Sequence, residues 1–222
     1  MNNNHSEKNW RKTAGAFNSH AEEYDNWYAE NALFESECRA LQAITTQLPH
    51  PRLEIGVGPG RFAEFLDCRF GVDPAEKPLK MASTRNILPV QAVGENLPFG
   101  SKAFGTVFIL FTLCFITRPE ELMREVFRIL QQNGKVVFGM IPSQSPWGKT
   151  LTRKKEQGHR LYRHASFFRV SEVAALLEMN NFTIVETITT LLQEPADTPK
   201  IEQPVHRLDK NGGFVVLTAV KA

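Results

Sequence analysis

The stretch Leu53-Glu54-Ile55-Gly56-Val57-Gly58-Pro59-Gly60-Arg61-Phe62 constrains the fold more than any other part of the chain. It reads as a short buried strand, a glycine turn and the first turn of a helix. Glycine at alternate positions after a strand lets the backbone approach something that a side chain would exclude, and a ligand is one such thing. A dinucleotide fingerprint leaves two residues between its second and third glycines, so that the pyrophosphate sits on the helix N-terminus. Here Arg61 stands in that place and the third glycine comes early, at Gly60. The other reading is a tight strand-to-helix turn with no ligand.

The rest of the chain can build a sheet around such a turn. Its 222 residues, 42% apolar and 23% charged, suit one soluble α/β domain with a sizeable core. A formal net charge of +2 gives no reason to expect nucleic acid or a membrane surface as partner. Met1 to Arg11 has no apolar core of a secretory signal, and the longest apolar run, Val107 to Ile116, has a strand's length. Cys38, Cys68 and Cys114 are isolated, which points to a reduced, cytoplasmic protein without a metal.

In order, Asn2 to Ala16 reads as a loose start. Phe17, Ala21, Tyr24, Trp27 and Tyr28 then recur at helical spacing, either as core packing or as an aromatic lid. A second helix is expected from Leu33 to Leu48, stopped by Pro49 and Pro51. After the glycine turn come a helix Arg61–Leu66 and a strand Cys68–Val72 that ends at Asp73. An acid at the tip of the second strand, roughly 20 positions past the first glycine, is where a nucleotide-binding unit accepts from ribose hydroxyls. Capping the helix after Pro74 is the alternative duty for Asp73. There follow a helix Lys77–Thr84, an edge strand Leu88–Ala92 broken by Pro89, a turn Gly94–Phe99 and a strand Thr106–Phe111. The clearest amphipathic helix is Arg118–Leu130, closed by Asn133-Gly134, before a buried strand Lys135–Ile141. Helix Ser171–Met179 and strands Thr183–Thr189 and Gly213–Val220 complete the pattern, with Glu194–Gly212 as a surface loop.

The spacing from Glu54 to Gly60, E-x-G-x-G-x-G, resembles the first motif of class I S-adenosylmethionine-dependent methyltransferases. Gly94-Glu95-Asn96-Leu97-Pro98-Phe99, followed by Phe104, resembles the segment that wraps the adenine in that family. The run from Arg128 to Phe138 resembles the fourth helix and fifth strand of its type 11 members. The resemblance covers Tyr24 to Ile141 and continues more faintly to the end. It implies an α/β fold: a Rossmann-like, doubly wound, mostly parallel seven-stranded sheet with an antiparallel last strand and helices on both faces. It also implies a helical lid at 1–48 ahead of a methyltransferase domain at 49–222. S-adenosylmethionine is the implied cofactor, held at the glycine turn by Glu54, Gly56, Val57, Gly58 and Gly60, and at the second strand by Asp73 and Pro74. Gly94, Glu95, Asn96 and Leu97 would enclose the adenine, Phe111 and Thr112 the sulfonium, and Tyr24 and Trp27 the roof. Family members often have Asp where this chain has Val93 and Gly105. A carboxylate at position 93 is thus excluded, leaving Glu95 or backbone carbonyls to meet the adenine amino group.

Residues 142–169 form an insertion after the fifth strand, where strand ends face the ligand. Between Lys149 and Arg169 they carry Lys149, Arg153, Lys154, Lys155, Arg160, Arg163 and Arg169 against the single acid Glu156. Such a patch suggests a small-molecule acceptor bearing an anionic group; a solvated basic loop is the alternative. His159, Tyr162 and His164 are the candidate proton acceptors by position, and Cys114 is a candidate pocket liner. The expected activity is methyl transfer to a small molecule. The competing reading is a non-catalytic, cofactor-binding scaffold with the same fold, and a weaker one is transfer of a different group from a related sulfonium.

Overall fold

Every residue from Phe104 to Leu110 is buried, as a strand covered on both faces requires. The structure, a computed structural model, describes residues 3–196 and 198–222 of the chain; Met1, Asn2 and Asp197 lie outside the described residues. Helices α1 (Asn3–Ser19), α2 (Ala21–Trp27) and α3 (Ala32–Gln42) come first. They lead to β1 (Arg52–Ile55), α4 (Arg61–Phe65), β2 (Phe70–Asp73), α5 (Glu76–Ser83), β3 (Leu88–Gln91) and β4 (Phe104–Leu110). Next come α6 (Pro119–Ile129), β5 (Leu130–Met140), α7 (Pro146–Glu156), α8 (Val170–Met179), β6 (Phe182–Thr190) and β7 (Phe214–Lys221).

The strands form one seven-stranded sheet in the order β3-β2-β1-β4-β5-β7-β6. The first five run parallel, and β7 inserts antiparallel between β5 and β6. This is the expected doubly wound architecture. β1 lies third in the sheet with β2 on one side and β4 on the other, so the loops leaving β1 and β4 diverge and open a crevice at the strand ends. One core layer is built by α6 and α8 with the inner strands, around Leu122, Val126, Phe138 and Val173. The other joins α3 and α4 to the opposite face, where Leu41 and Phe62 pack in one cluster with Phe108 and Val216.

Sequence expectations are corrected at three helices. The stretch expected to be loose before Ala16 is helical from Asn3, and α1 docks on α5, where Asn18 Oδ1 accepts from Lys77 N at 2.8 Å. The second helix stops at Gln42, short of Leu48. Glu186 on β6 accepts from Thr45 N at 2.9 Å and from Thr46 N at 3.1 Å, so tertiary bonds take over a segment whose β-branched residues hold a helix weakly. Asn133-Gly134 does not close α6 either: the helix ends at Ile129, and Leu130 already pairs with Phe104. Asn133, at φ 59°, lies where the register shifts within β5. The expected surface loop 194–212 is tied down, with Val205 bridging to Thr189 and Glu202 accepting from Leu192 N and Gln193 N.

Candidate active site

The glycine turn leaves β1 under the N-terminal helices. Gly56, Gly58 and Gly60 all have positive φ, but their α-carbons face different surroundings. A Cβ at Gly56 would stand 2.1 Å from Thr112 Oγ1, and one at Gly60 would stand 2.5 Å from Ile87 Cδ1. Those two glycines admit the protein's own neighbours. A Cβ at Gly58 would meet only Tyr24 Cε1, at 3.8 Å, and would project into the cleft. Gly58 is therefore the position where bare backbone faces ligand space.

That cleft is narrow, about 100 Å³, because Trp10, Thr13 and Phe17 of α1 and Tyr24 of α2 lie across it. Of the residues expected to hold a cofactor, Tyr24, Glu54, Gly56, Val57, Gly58, Asp73, Pro74, Gly94, Glu95, Phe111 and Thr112 line it. Trp27 lines a neighbouring chamber instead, and Gly60, Asn96 and Leu97 line neither. Leu97 is buried in the core, and its N–H donates to Glu125 Oε2 at 2.8 Å.

Asp73 does not cap α5, whose N-cap is Ala75; its carboxylate is instead engaged by two backbone N–H groups. Its Oδ1 accepts from Ala75 N at 2.8 Å, ahead of α5, while Oδ2 accepts from Gly58 N at 3.0 Å and pins the glycine turn to β2. Burial pushes its carboxyl up to about 6, against the two N–H bonds that favour the ionised form. Glu54 is also buried and raised well above the usual carboxylate range, by burial first and then by the neighbouring Asp73; its Oε2 has no hydrogen-bond partner. Glu95 faces the cleft, but its Oε1 accepts from Thr117 N at 3.2 Å and Arg118 N at 3.4 Å, ahead of α6. Much of its accepting capacity thus serves that helix end.

Beyond Phe111 and Thr112 lies a larger chamber of about 840 Å³. Phe17, Tyr24, Tyr28, Phe111, Thr112 and Phe115 line both spaces, so the cleft and the chamber share a wall. Phe111 follows β4 at φ 54° and stacks on Phe214 with ring centroids 4.9 Å apart. Left-handed backbone at a non-glycine residue costs about 1–2 kcal/mol, which the stacking and the bond from Phe111 N to Gly139 O help to offset. Tyr28 donates its hydroxyl to Tyr24 Oη at 2.6 Å, and burial keeps both phenols protonated.

His159 and Tyr162 line the chamber, stacked with centroids 4.7 Å apart; His164 does not line it. His159 Nδ1 accepts from Leu161 N at 3.3 Å and from Tyr162 N at 3.4 Å, which leaves the ring proton on Nε2. Burial, then Lys154 and Arg160, lower its pKa. Burial pushes the Tyr162 phenol up to about 12 and the Cys114 thiol up to about 12, and Cys114 Sγ donates to Phe111 O. Sequence reasoning read Phe17 as core packing or lid but missed Trp10 and Thr13, which precede it at helical spacing, and it missed Glu37, a buried acid of α3 on the chamber wall.

A family model for a methyltransferase domain matches residues 53–138. A protein of Mycobacterium tuberculosis with no assigned role is 38% identical over 89% of this chain and 70% of its own length. Another, of Methanocaldococcus jannaschii, is 35% identical over 92% of this chain and 98% of its own. The chain belongs to the type 11 family of S-adenosylmethionine-dependent methyltransferases. Among solved structures, a methyltransferase of Thermotoga maritima described as a possible histamine N-methyltransferase superposes on it with a TM-score of 0.87 at 28% identity, covering 95% of this chain and 100% of that one. The magnesium protoporphyrin IX methyltransferase of Synechocystis, with S-adenosylhomocysteine bound, shares the fold at a TM-score of 0.66 and 15% identity, over 96% and 100% of the two chains. S-adenosylmethionine is the cofactor of this methyltransferase, and the cleft suits it: bare backbone at Gly58, the half-buried carboxylate of Asp73, and the buried Glu54 with an oxygen unpartnered among the described residues. No helix among the described residues is long and apolar enough to cross a membrane.

Proposed function

We propose that this methyltransferase moves the methyl group of S-adenosylmethionine to a small molecule held in the aromatic chamber. The observation that carries the proposal is the shared wall at Phe111-Thr112, where the cleft under Gly58 meets a space large enough for an acceptor. A sulfonium supplies a methyl group already activated for transfer, so the protein's task is alignment and exclusion of water. Asp73 retains lone pairs for the ribose hydroxyls after its two backbone bonds, and Glu54 Oε2 would answer the ammonium of the amino-acid tail. The aromatic side chains of α1 and α2 serve as the lid, with α3 as its footing on the sheet. His159 Nε2–H and the Tyr162 hydroxyl orient the acceptor as donors; His164 has no contact with it in this reading.

An anionic group on the acceptor would meet Lys154 and Arg160, the two basic side chains of the insertion that line the chamber. Arg160 also pairs with Glu23, and Lys155 donates to Ala165 O; Lys149, Arg153, Arg163 and Arg169 are exposed away from the chamber lining. A cytoplasmic location is part of the same proposal and rests on three cysteines that stand free. Calorimetric titration with S-adenosylhomocysteine should give saturable binding, and labelled cofactor should pass its methyl group to a member of an amine, phenol and thiol panel. Absence of cofactor binding would overturn the reading, and binding without transfer to any acceptor would favour a scaffold.

A further inference from the structure

Among the described residues, two carboxylates have a buried oxygen without a hydrogen-bond partner, and each lines a different space. Glu54 Oε2 belongs to the cofactor cleft; Glu37 Oε2 belongs to the acceptor chamber. Glu37 is 3% exposed on α3, and none of the ion pairs among the described residues includes it. Asp25 shows what the same fold does with a buried acid that serves structure: it is bonded by two arginines. Leaving a buried carboxyl unsatisfied costs free energy that a ligand can recover. The walls around Glu37 include Trp27, Tyr28, Trp147 and Tyr162, whose ring faces attract cations and exclude water. The titratable groups near it are the phenols of Tyr24, Tyr28 and Tyr162 and the thiol of Cys38, all kept neutral by burial; none can supply the missing positive charge. Glu23 and Glu30 add acid to the chamber wall, with Lys154, Arg160, His20 and His159 as its basic members.

We infer that Glu37 anchors the methyl acceptor, and that the acceptor carries a basic nitrogen on an apolar or aromatic body. The inference rests on the methyltransferase reading and deepens it. A protonated amine gives Glu37 Oε2 its missing donor, and the aromatic walls accept its cationic head and apolar body. Burial raises the Glu37 carboxyl well above the usual range and so favours its neutral form, whereas a cation beside it favours the ionised one.

The test uses full-length protein saturated with S-adenosylhomocysteine, whose own binding is measured first. Three probes of similar size, 2-phenylethylamine, 2-phenylethanol and 3-phenylpropanoate, are titrated into wild type and Glu37→Gln. The amine should bind wild type and weaken at least about tenfold in the variant, with the alcohol changing by less than about twofold. In difference spectra between wild type and Glu37→Gln, the infrared band of the protonated Glu37 carboxyl should disappear when the amine binds. Equal amine affinity in both proteins, tighter binding of the propanoate than of the amine, no amine binding at all, or a band that persists would each overturn the inference. Failure of S-adenosylhomocysteine itself to bind would instead overturn the reading beneath it.

Discussion

Arg61, at the position a dinucleotide fingerprint reserves for glycine, donates from Nε to Asp25 Oδ1 at 2.7 Å. The bond ties α2 to the start of α4, and Arg85 completes it: Nη2 donates to Asp25 Oδ2 at 2.9 Å, while Nη1 donates to Pro59 O at 2.7 Å. The N-terminal helices are thus fastened to the glycine turn itself. The side chain of Asp25 is only 9% exposed. Burial would raise its pKa, but the hydrogen bonds from Arg61 and Arg85 outweigh that and hold it below the usual value.

Asp25→Ala should destabilise the protein by about 2–4 kcal/mol, the scale of breaking a buried ion pair and stranding its partners. Chemical denaturation at neutral pH measures the loss. Because the folded pKa of Asp25 is depressed, its contribution is present above the unfolded carboxyl value of 3.8 and is lost as pH falls through the lower folded value. The stability gap between wild type and variant should therefore close in acid. A gap independent of pH would show that the charge of Asp25 is not what fastens the helix.

Gly58→Val should fold and fail to bind S-adenosylhomocysteine, since its side chain would enter the cleft. Gly60→Val should lose stability, since the new Cβ would collide with Ile87 and Ala82. Both positions have positive φ, which adds about 1–2 kcal/mol of strain to either variant. Thermal melts and titration calorimetry on the pair separate the roles. Normal cofactor binding by Gly58→Val would return the glycine to a purely turn-forming duty.

Cofactor binding should release protons near pH 5–6. The Asp73 carboxyl is raised to about 6 in the folded protein, so its stabilising share is complete below 3.8 and is lost as pH rises through 6. Ribose hydroxyls donating to the carboxylate favour its ionised form and pull that pKa down on binding. Calorimetry in buffers of different ionisation enthalpy reads the released proton, and Asp73→Asn should abolish this part of the release, leaving only any share from Glu54. The same variant should weaken affinity by about 1.5–3 kcal/mol, the range for hydrogen bonds to a charged group. Equal proton release by wild type and variant would exclude Asp73 as the group that titrates.

Trp10→Ala combined with Phe17→Ala should leave the sheet folded and speed cofactor dissociation. Phe17 meets Tyr24 and Phe115 edge-on, at 5.3 and 5.2 Å between centroids, and neither it nor Trp10 belongs to the two main core clusters. Stopped-flow displacement of S-adenosylhomocysteine should show a rate increase of about tenfold, corresponding to roughly 1.4 kcal/mol of closure. An unchanged rate would mean that α1 covers the cleft without holding it shut.

The sequence by itself determined the strands, most helices, the sheet and the acid at the tip of β2, because each follows from short-range patterns. Continuous apolar runs mark strands covered on both faces, apolar residues at helical spacing mark α6, and Gly56 to Gly60 mark a turn that side chains cannot make. What α1 does was decided only by tertiary structure: its polar composition hides Trp10 and Ala14, which extend along the cleft from Phe17, whose partners lie on α2 and beyond β4. The separate duties of the three glycines were equally invisible, since Thr112 and Ile87, which crowd Gly56 and Gly60, are distant in sequence. In the sequence Glu37 is one of several polar residues along α3. Only the folded chain shows that the helix turns it inward, where aromatic side chains from four separated segments close around it and none supplies a cation, because burial and pairing depend on neighbours that a linear pattern does not name.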